Sequence, residues 1–280
     1  MSATGFADRL DAVFADRGHL CVGIDPHRWL LADWGLADDP AGLRDFGLRV
    51  VEAAAGRAGI VKPQVAFFER HGSAGYAALE EVLAAARSAC LLVIADVKRG
   101  DLGTSVEAYG EAWLTPGSPL EADAMTLSAY QGVGSVTAPL ALALKHGKGV
   151  FVLAATSNPE GAAVQTAVIA SGAHSGRSVA AGIVSDVTEW NSSSGAAAGV
   201  VLGATVDFAL YGIDLPLLAQ ERVPILAPGF GHQGARFGDA ATLYGPAAET
   251  TILSASRSIL SAGPSGLAAA IDAHNAEARG

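Results

Sequence analysis

Charged side chains, and basic ones above all, are scarce in this sequence. Only 16% of the 280 residues are Asp, Glu, Lys or Arg, and 18 basic residues against 28 acidic ones give a formal charge of −10. A nucleic-acid or anionic-membrane surface recruits phosphates with a broad basic field, so the composition argues against both kinds of partner. An anionic ligand would therefore need a local basic pocket.

Cysteine and long apolar runs are also scarce. The two cysteines, Cys21 and Cys90, each lie in or beside an apolar run, which favours buried thiols over a disulfide. No stretch reaches the roughly 18 uninterrupted apolar residues of a membrane span. Residues 1–18 combine helical spacing with interrupting charges, which predicts a first helix rather than a signal peptide. We therefore expect a cytoplasmic protein.

What the sequence has in abundance is short apolar segments. Half of the residues are apolar, enough for one large core. Apolar runs recur at 19–25, 59–64, 91–98, 122–128, 149–155, 199–204, 223–229 and 251–256. Several gaps between them space apolar residues at the helical period, as Leu43, Phe46 and Val50 do. Strand alternating with helix eight times predicts an α/β fold, a single (β/α)8 TIM barrel over residues 1–280.

A doubly wound parallel sheet is the alternative fold. It is disfavoured because no glycine-rich GxGxxG element follows the first strand, where a dinucleotide-binding fold carries it. Two stretches, 27–40 and 157–198, look like insertions on the barrel. Neither has the spacing of metal ligands or of a repeat, so we interpret both as elaborations of the scaffold.

The predicted strands end alike, in polar or glycine residues. At or just past these ends lie Asp25, Lys62 to Gln64, Asp96 to Lys98, Ser128, Thr156, Gly229 and Arg257. In a parallel barrel the carboxyl ends of all strands meet at one mouth, which is where ligands bind. The sequence therefore predicts a site at this mouth.

The strongest local signal is the run of Asp96, Lys98 and Asp101 after the apolar segment LLVIA. Residues i and i+2 of a strand share a face, so Asp96 and Lys98 should point together, with α-carbons roughly 6.6 Å apart. Spacing alone also fits a solvated turn, but the position at the catalytic end of a barrel favours a site. A lysine between two carboxylates stays protonated, so it can serve as an electrostatic clamp and as a proton donor. Two acids would also repel a third carboxylate, and losing it as CO₂ would relieve that repulsion.

The sequence resembles the orotidine 5′-monophosphate decarboxylase family, and its longer-chain branch in particular. The matching segments are GIDPH (23–27), VKPQVAFFE (61–69), ADVKRGDLG (95–103), TLSAYQG (126–132), ATSNPEG (155–161), APGFGHQG (227–234) and SASRSIL (254–260). The D-x-K-x-x-D element alone is shared with sugar-phosphate decarboxylases and synthases of related barrels. Its combination, in order, with Asp25, Lys62, the glycine-rich loop and Arg257 is what makes the resemblance specific.

The resemblance implies decarboxylation of orotidine 5′-monophosphate to UMP in pyrimidine biosynthesis, without metal or other cofactor. Lys98 would protonate C6 of the pyrimidine, and Asp96 would sit beside the departing carboxylate. Asp25 and Lys62 would bind ribose hydroxyls and complete an alternating charge network. Asp101 would reach the active site of the neighbouring subunit of a homodimer.

Further binding residues follow from the same resemblance. Leu102 would line the pyrimidine pocket, and Ser128 would hydrogen-bond the pyrimidine ring. Either Thr104 or Ser105 would supply a hydroxyl to the ribose, and the sequence leaves that choice open.

For the phosphate, the resemblance implies a loop after the seventh strand and an arginine after the eighth, here Gly229, Gly231, Gln233 and Arg257. Flexible backbone N–H groups cradle phosphate oxygens and a guanidinium pairs with them bidentately, so the physical chemistry agrees. An ordinary glycine-rich loop is the other interpretation of the first three residues. Ser256 stands where glycine is frequent, and we expect it to crowd the phosphate slightly.

Two other functions stay open at this point. A magnesium-dependent sugar-phosphate decarboxylase or aldol-type synthase would explain the D-x-K-x-x-D element but leaves Lys62 and the long connection at 157–198 less well explained. A non-catalytic nucleotide-binding barrel would not need the full set of Asp25, Lys62, Asp96 and Lys98.

Overall fold

In the computed structural model, which describes residues 5–196 and 198–279, eight parallel strands form a closed barrel. The strands are β1 Leu20–Ile24, β2 Ile60–Pro63, β3 Leu92–Arg99, β4 Ala124–Leu127, β5 Gly149–Ala155, β6 Ala198–Leu202, β7 Ile225–Pro228 and β8 Thr251–Ala255. Each strand pairs with the next along the chain, and β8 pairs with β1. This order confirms the predicted TIM barrel and excludes a doubly wound sheet, whose strand order reverses at a switch point.

Helices surround the barrel. They are α1 Phe6–Arg17, α2 Arg28–Asp33, α3 Pro40–Ala54, α4 Val65–Glu69, α5 Gly72–Ser88, α6 Gly103–Leu114, α7 Thr137–His146, α8 Pro159–Gln165, α9 Val179–Ser194, α10 Leu215–Gln220, α11 Ala240–Tyr244, α12 Arg257–Leu260 and α13 Gly263–Arg279. Short 3₁₀ turns lie at Val133–Val136, Phe237–Asp239 and Gly245–Thr250. None of the helices in the described residues is long and apolar enough to cross a membrane.

Local sequence explains where a typical helix begins and which face it buries. The Asp39 carboxylate accepts the Gly42 N–H at 2.8 Å and so caps the start of α3, where Pro40 occupies the first turn without needing a donor. The predicted apolar positions Phe46 and Val50 are fully buried against the barrel. A polar cap and an apolar stripe together therefore fix this helix.

The amino-terminal end of the barrel is closed by α1. Phe6 and Leu10 join an apolar cluster inside the barrel that includes Cys21, Ile60 and Phe151. The Phe6 and Phe151 rings meet edge to face with centroids 6.0 Å apart. The predicted first helix thus forms the floor of the barrel, and the larger core lies between the strands and the outer helices.

The prediction of two buried thiols is half wrong. Cys21 is fully buried in β1, and burial raises the pKa of its thiol to about 12. Cys90 is exposed, because it lies in the turn between α5 and β3 and adopts a left-handed φ of 57°. The apolar run begins one residue later, at the buried Leu91.

The two predicted insertions lie beside the carboxyl ends of β1 and β5. The first contains α2, and the second contains α8 and α9 with a short antiparallel bridge between Val168 and Ser178. Position 197 of the second stretch and the termini of the predicted 1–280 domain, residues 1–4 and 280, lie outside the described residues.

Candidate active site

A cavity of about 430 Å³ opens at the carboxyl ends of the strands. Its polar side chains come from seven of the eight strands and the segments that follow them, and are Asp25, Lys62, Gln64, Asp96, Lys98, Thr126, Thr156, Ser157, Asn158, Gln165, His232, Gln233, Ser254, Ser256 and Arg257. Leu153, Val201 and Leu226 form apolar parts of its wall. The mouth predicted from the strand ends is therefore a real concave site with charged groups inside it.

Asp96 is the centre of the charged groups. Its Oδ1 accepts hydrogen bonds from Lys98 Nζ at 2.6 Å and Thr126 Oγ1 at 2.9 Å. Its Oδ2 accepts from Lys62 Nζ at 3.1 Å and Gln64 Nε2 at 2.9 Å. The predicted pairing of Asp96 with Lys98 is present, and both carboxylate oxygens are fully engaged.

Burial and charge act in opposite directions on this cluster. Burial opposes the charged form of Lys62, but the carboxylates of Asp96 and Asp25 outweigh it and raise the pKa of the ammonium above its ordinary value. Burial likewise opposes ionisation of Asp96, but Lys62 and Lys98 outweigh it and hold the pKa of the carboxyl below its usual range. Lys62 and Asp96 are therefore both charged at neutral pH and form an ion pair.

Lys98 reaches Asp96 by a different route from the one predicted. The register of β3 against β4 shifts between Ala95 and Arg99, and Lys98 has a left-handed φ of 46°. Its backbone N–H donates to Thr126 Oγ1 at 2.9 Å. Positive φ is uncommon for a residue with a side chain and tends to occur at functional sites. The Lys98 side chain stays 45% exposed, so its ammonium is accessible from the cavity.

Asp25 follows β1 and is held by β8. Its Oδ2 accepts from Ser256 Oγ at 2.6 Å, while its Oδ1 is buried without a partner among the described residues. A buried acceptor without a partner is uncommon and suits a ligand hydroxyl. The Ser256 hydroxyl is turned to Asp25, and its crowding of the phosphate stays a prediction. Gly23 provides the space for the Ser256 side chain, since a Cβ at position 23 would lie 2.7 Å from the Ser256 Cβ.

Part of the cavity wall comes from the loop after β7 and from Arg257 after β8. Gly229, Gln233 and Arg257 line it, and Gly229 has a φ of 115° that L side chains rarely adopt. Gly231 does not line the cavity. It is needed for the loop to pass close to α12, because a Cβ there would lie 2.4 Å from Ser258 Oγ.

The described residues contain no group of three or more His, Cys, Asp or Glu side chains placed to hold a metal ion. The acids of the cavity are paired instead with lysine, glutamine and hydroxyl donors.

The sequence profile of the orotidine 5′-phosphate decarboxylase / HUMPS family matches residues 18–271. The chain belongs to this family. A relative from Nocardioides sp. named orotidine 5′-phosphate decarboxylase is 48% identical over 245 residues, covering 85% of each chain. The match includes all eight strands of the barrel and every residue that lines its cavity.

Solved structures agree. A crystal structure assigned as an orotidine 5′-phosphate decarboxylase from Streptomyces avermitilis superposes with a TM-score of 0.92 at 45% identity, covering 100% of this chain and 96% of that one. The Leishmania donovani OMP decarboxylase superposes with a TM-score of 0.71 at 28% identity, covering 99% and 100%. This member of the decarboxylase family therefore keeps the family fold across its length.

Six of the residues predicted for the family's site do not line the cavity of their own chain, namely Asp101, Leu102, Thr104, Ser105, Ser128 and Gly231. Leu102 is 59% exposed, and its N–H donates to the Asp101 carboxylate at 2.9 Å. Thr104 and Ser105 are exposed on the first turn of α6. Leu102 therefore does not line the cavity of its own chain, and its predicted place in a pyrimidine pocket stays a prediction.

Ser128 is also misplaced by the prediction. Its N–H donates to the Arg99 carbonyl at 2.8 Å, and its own carbonyl packs against Gly100, so it faces the β3–α6 connection instead of the cavity. The serine that does line the cavity is Ser157 after β5, whose hydroxyl lies 3.5 Å from Gln233 Oε1.

The sequence assigned no specific role to several polar residues of the cavity wall. Thr126 and Gln64 both donate to Asp96. Gln165 on α8 accepts the Thr156 N–H at 2.9 Å and donates to the Thr156 hydroxyl at 2.8 Å, which braces the end of β5. A threonine within an otherwise apolar strand is a usable signal for Thr126. Gln165 carries no such signal, because its site role depends on how α8 packs.

Proposed function

We propose that this protein converts orotidine 5′-monophosphate to UMP and CO₂ in pyrimidine biosynthesis, with Lys98 as the proton donor. The observation that carries the proposal is the Asp96 carboxylate, held between the ammonium groups of Lys62 and Lys98 inside the cavity. Mere binding of a nucleotide does not need this arrangement. Membership of the decarboxylase family supports it independently, and we expect the enzyme to act in the cytoplasm.

The substrate spans the cavity from the side of Arg257 to the side of Lys98 and Asp96. The phosphate binds Arg257, Gln233 and the backbone at Gly229. The positive φ of Gly229 is a backbone conformation that lets N–H groups approach an anion. The ribose hydroxyls bind Lys62 and the unpartnered Oδ1 of Asp25. The pyrimidine then lies over Lys98 and Asp96.

Decarboxylation follows from this placement. The substrate carboxylate lies beside Asp96, whose charge is fixed by four donors and cannot be removed by protonation at neutral pH. The bond from C6 to the carboxylate breaks, CO₂ leaves, and the electron pair stays on C6. The Lys98 ammonium gives its proton to C6, and solvent later reprotonates the amine. Ions arranged in advance need little reorganisation, so electrostatic stabilisation of the developing carbanion is the main source of rate.

The active enzyme is a homodimer in which Asp101 serves the site of the partner. Support comes from Asp101 lying outside the cavity of its own chain, at the edge of an exposed segment that includes Leu102. Leu102, with Thr104 or Ser105, accompanies Asp101 into that neighbouring site. Each site then has one more carboxylate than a single chain supplies.

Loss of the ultraviolet absorbance of orotidine 5′-monophosphate, followed with and without EDTA, tests the function. We expect rapid loss that EDTA does not alter and equimolar formation of UMP. A magnesium-dependent sugar-phosphate enzyme would not consume this substrate, and a binding barrel would bind UMP without any turnover. Either result would overturn the proposal.

A further inference from the structure

Thr126 occupies an unusual place in β4. Its side chain is buried, with 1% of its surface exposed, among strands whose inward residues are otherwise mostly apolar. Its hydroxyl oxygen lies 2.9 Å from the Lys98 backbone nitrogen and 2.9 Å from Asp96 Oδ1. One hydroxyl therefore contacts both residues to which the proposed chemistry is assigned.

The direction of these two hydrogen bonds is fixed by chemistry. The Lys98 backbone N–H can only donate, so the Thr126 oxygen accepts. An ionised carboxylate can only accept, so the Thr126 proton goes to Asp96. The low pKa of Asp96 keeps it ionised. The hydroxyl thus uses its proton and a lone pair on the two neighbours and has no proton left to donate to a substrate.

These contacts close a ring. The Lys98 N–H donates to Thr126, Thr126 donates to Asp96 Oδ1, and the Lys98 ammonium donates to that same Oδ1 at 2.6 Å. The ring ties both ends of the lysine to one carboxylate oxygen, and it holds Lys98 in its left-handed backbone conformation. Without the hydroxyl, the N–H would be left unpaired and the backbone would be free to relax towards a commoner conformation.

We propose that Thr126 is a positioning residue that fixes the Lys98 ammonium relative to Asp96. The inference rests on the proposed function and adds to it a residue that acts through the proton donor. It concerns the hydroxyl, because the methyl group of threonine could be supplied by valine at the same volume.

The test compares hydroxyl loss at Thr126 with hydroxyl loss elsewhere. For Thr126→Val, we expect kcat to fall roughly 10- to 100-fold, the effect of losing hydrogen bonds to charged or strained groups. KM and the dissociation constant of UMP should stay within about threefold of wild type, because the nucleotide is held by other groups. Thr126→Ser keeps the hydroxyl and should keep kcat within about threefold.

Thr251→Val is the matched control. Thr251 is also a fully buried barrel threonine, but its hydroxyl donates to the Ala247 carbonyl, so its loss should lower the melting temperature without changing kcat. If the Thr126→Val protein does not fold, Thr126→Ser and Thr126→Ala provide the comparison. They differ by one oxygen, and only the alanine variant should lose turnover.

Several results would overturn the inference. A Thr126→Val enzyme with wild-type kcat would show that the hydroxyl is dispensable. Equal losses in the serine and hydroxyl-free variants would make the shape of the side chain decisive. A loss of UMP affinity equal to the loss of kcat would indicate direct contact with the nucleotide. A wild-type protein that leaves orotidine 5′-monophosphate unchanged would instead contradict the proposed function.

Discussion

The two ends of the barrel are built from the same eight strands and differ completely in chemistry. At the amino end, Phe6 and Leu10 of α1 close an interior of buried apolar side chains. At the carboxyl end, Lys62 and Asp96 are almost as deeply buried, but as ions that neutralise each other. Position along a strand therefore decides whether a buried side chain serves packing or the site. Substitutions at the two ends should separate stability from turnover.

The largest effect on turnover should come from Lys98→Ala. The substitution removes the proton donor, so decarboxylation should be abolished. Because the Lys98 side chain is 45% exposed and contributes little packing, the melting temperature should change little. Measured turnover beside a thermal melt checks both halves of this expectation. Activity within about tenfold of wild type corresponds to only ~1.4 kcal/mol of barrier and would contradict the assignment.

Mixed dimers test whether the mouth is completed by a second chain. Lys98→Ala and Asp101→Ala proteins, each inactive, are unfolded together and refolded. If Asp101 acts in trans, one site of each mixed dimer carries both lesions and the other carries neither. Random pairing in a two-fold dimer makes about half the dimers mixed, so about a quarter of wild-type activity should return. Each variant refolded alone is the control, and a mixture as inactive as its parents would place Asp101 in its own chain's site.

Arg257→Ala should weaken phosphate binding at the mouth. We expect KM for the nucleotide to rise roughly 10- to 100-fold and kcat to fall as well, because phosphate binding helps to organise the site. Orotidine, which lacks the phosphate, should be scarcely affected. Arg236→Ala removes an equal charge from an exposed position in the β7 loop and should leave both substrates unaffected. Equal losses on the two substrates would indicate another role for Arg257.

At the floor of the barrel, Phe6→Ala should lower stability and leave turnover unchanged, which is the opposite of the effect expected at the mouth. Removing a ring that is 2% exposed should lower the free energy of unfolding by roughly 3–5 kcal/mol through the lost burial and the cavity left behind. The protein that remains folded should keep wild-type kcat, since Phe6 itself does not line the cavity. Urea denaturation and active-site-normalised turnover check this, and a large fall in kcat would show that the two ends are coupled.

The smallest expected effect is a pH dependence of the free energy of unfolding that arises from His19 at the floor of the barrel. Burial lowers the pKa of His19, and the charge of Arg279 lowers it further. The hydrogen bond to the Thr251 carbonyl and the charge of Glu249 act in the opposite direction but do not outweigh burial. The unfolded chain therefore binds a proton below about pH 6.5 that the folded chain binds less well, so stability falls as pH drops through this range. In His19→Gln, unfolding curves at pH 7.5 and about 5.5 should differ less than in wild type.

The ion pair at the mouth should not contribute to that dependence. The lowered pKa of Asp96 makes its stabilisation fade only in acid, below the ordinary carboxyl range. The raised pKa of Lys62 makes its stabilisation fade only in strong alkali, above the ordinary lysine range.

Sequence reasoning worked where a local pattern determines structure. The eight strands lie within one or two residues of the predicted runs, because apolar periodicity and the polar residues at the strand ends are both local signals. The same local signals predict the charged cluster of Asp96 and Lys98, although β3 has a register shift between Ala95 and Arg99 and is not a regular strand there. The left-handed backbone at Lys98 has no local signal, since it depends on a hydroxyl of the next strand.

The failures have a common physical origin. Ser128 and Ser157 both follow strands, and only the path of the backbone beyond each strand decides which one reaches the cavity. Gln165 contacts Thr156 only because α8 packs back on β5, and Ser256 contacts Asp25 where β8 pairs with β1. Neither partner could be predicted from sequence spacing. Cys90 is itself the turn residue directly before the buried run, so its thiol is exposed although Leu91 beside it is buried.

The contact between Gly23 and Ser256 joins the two strands at which the barrel closes. A Cβ at position 23 would meet the serine side chain, so any larger residue there would displace the hydroxyl from Asp25. These two positions are therefore expected to change together during divergence. Relatives with a side chain at position 23 should have glycine at 256 and should hold the equivalent of Asp25 by another donor.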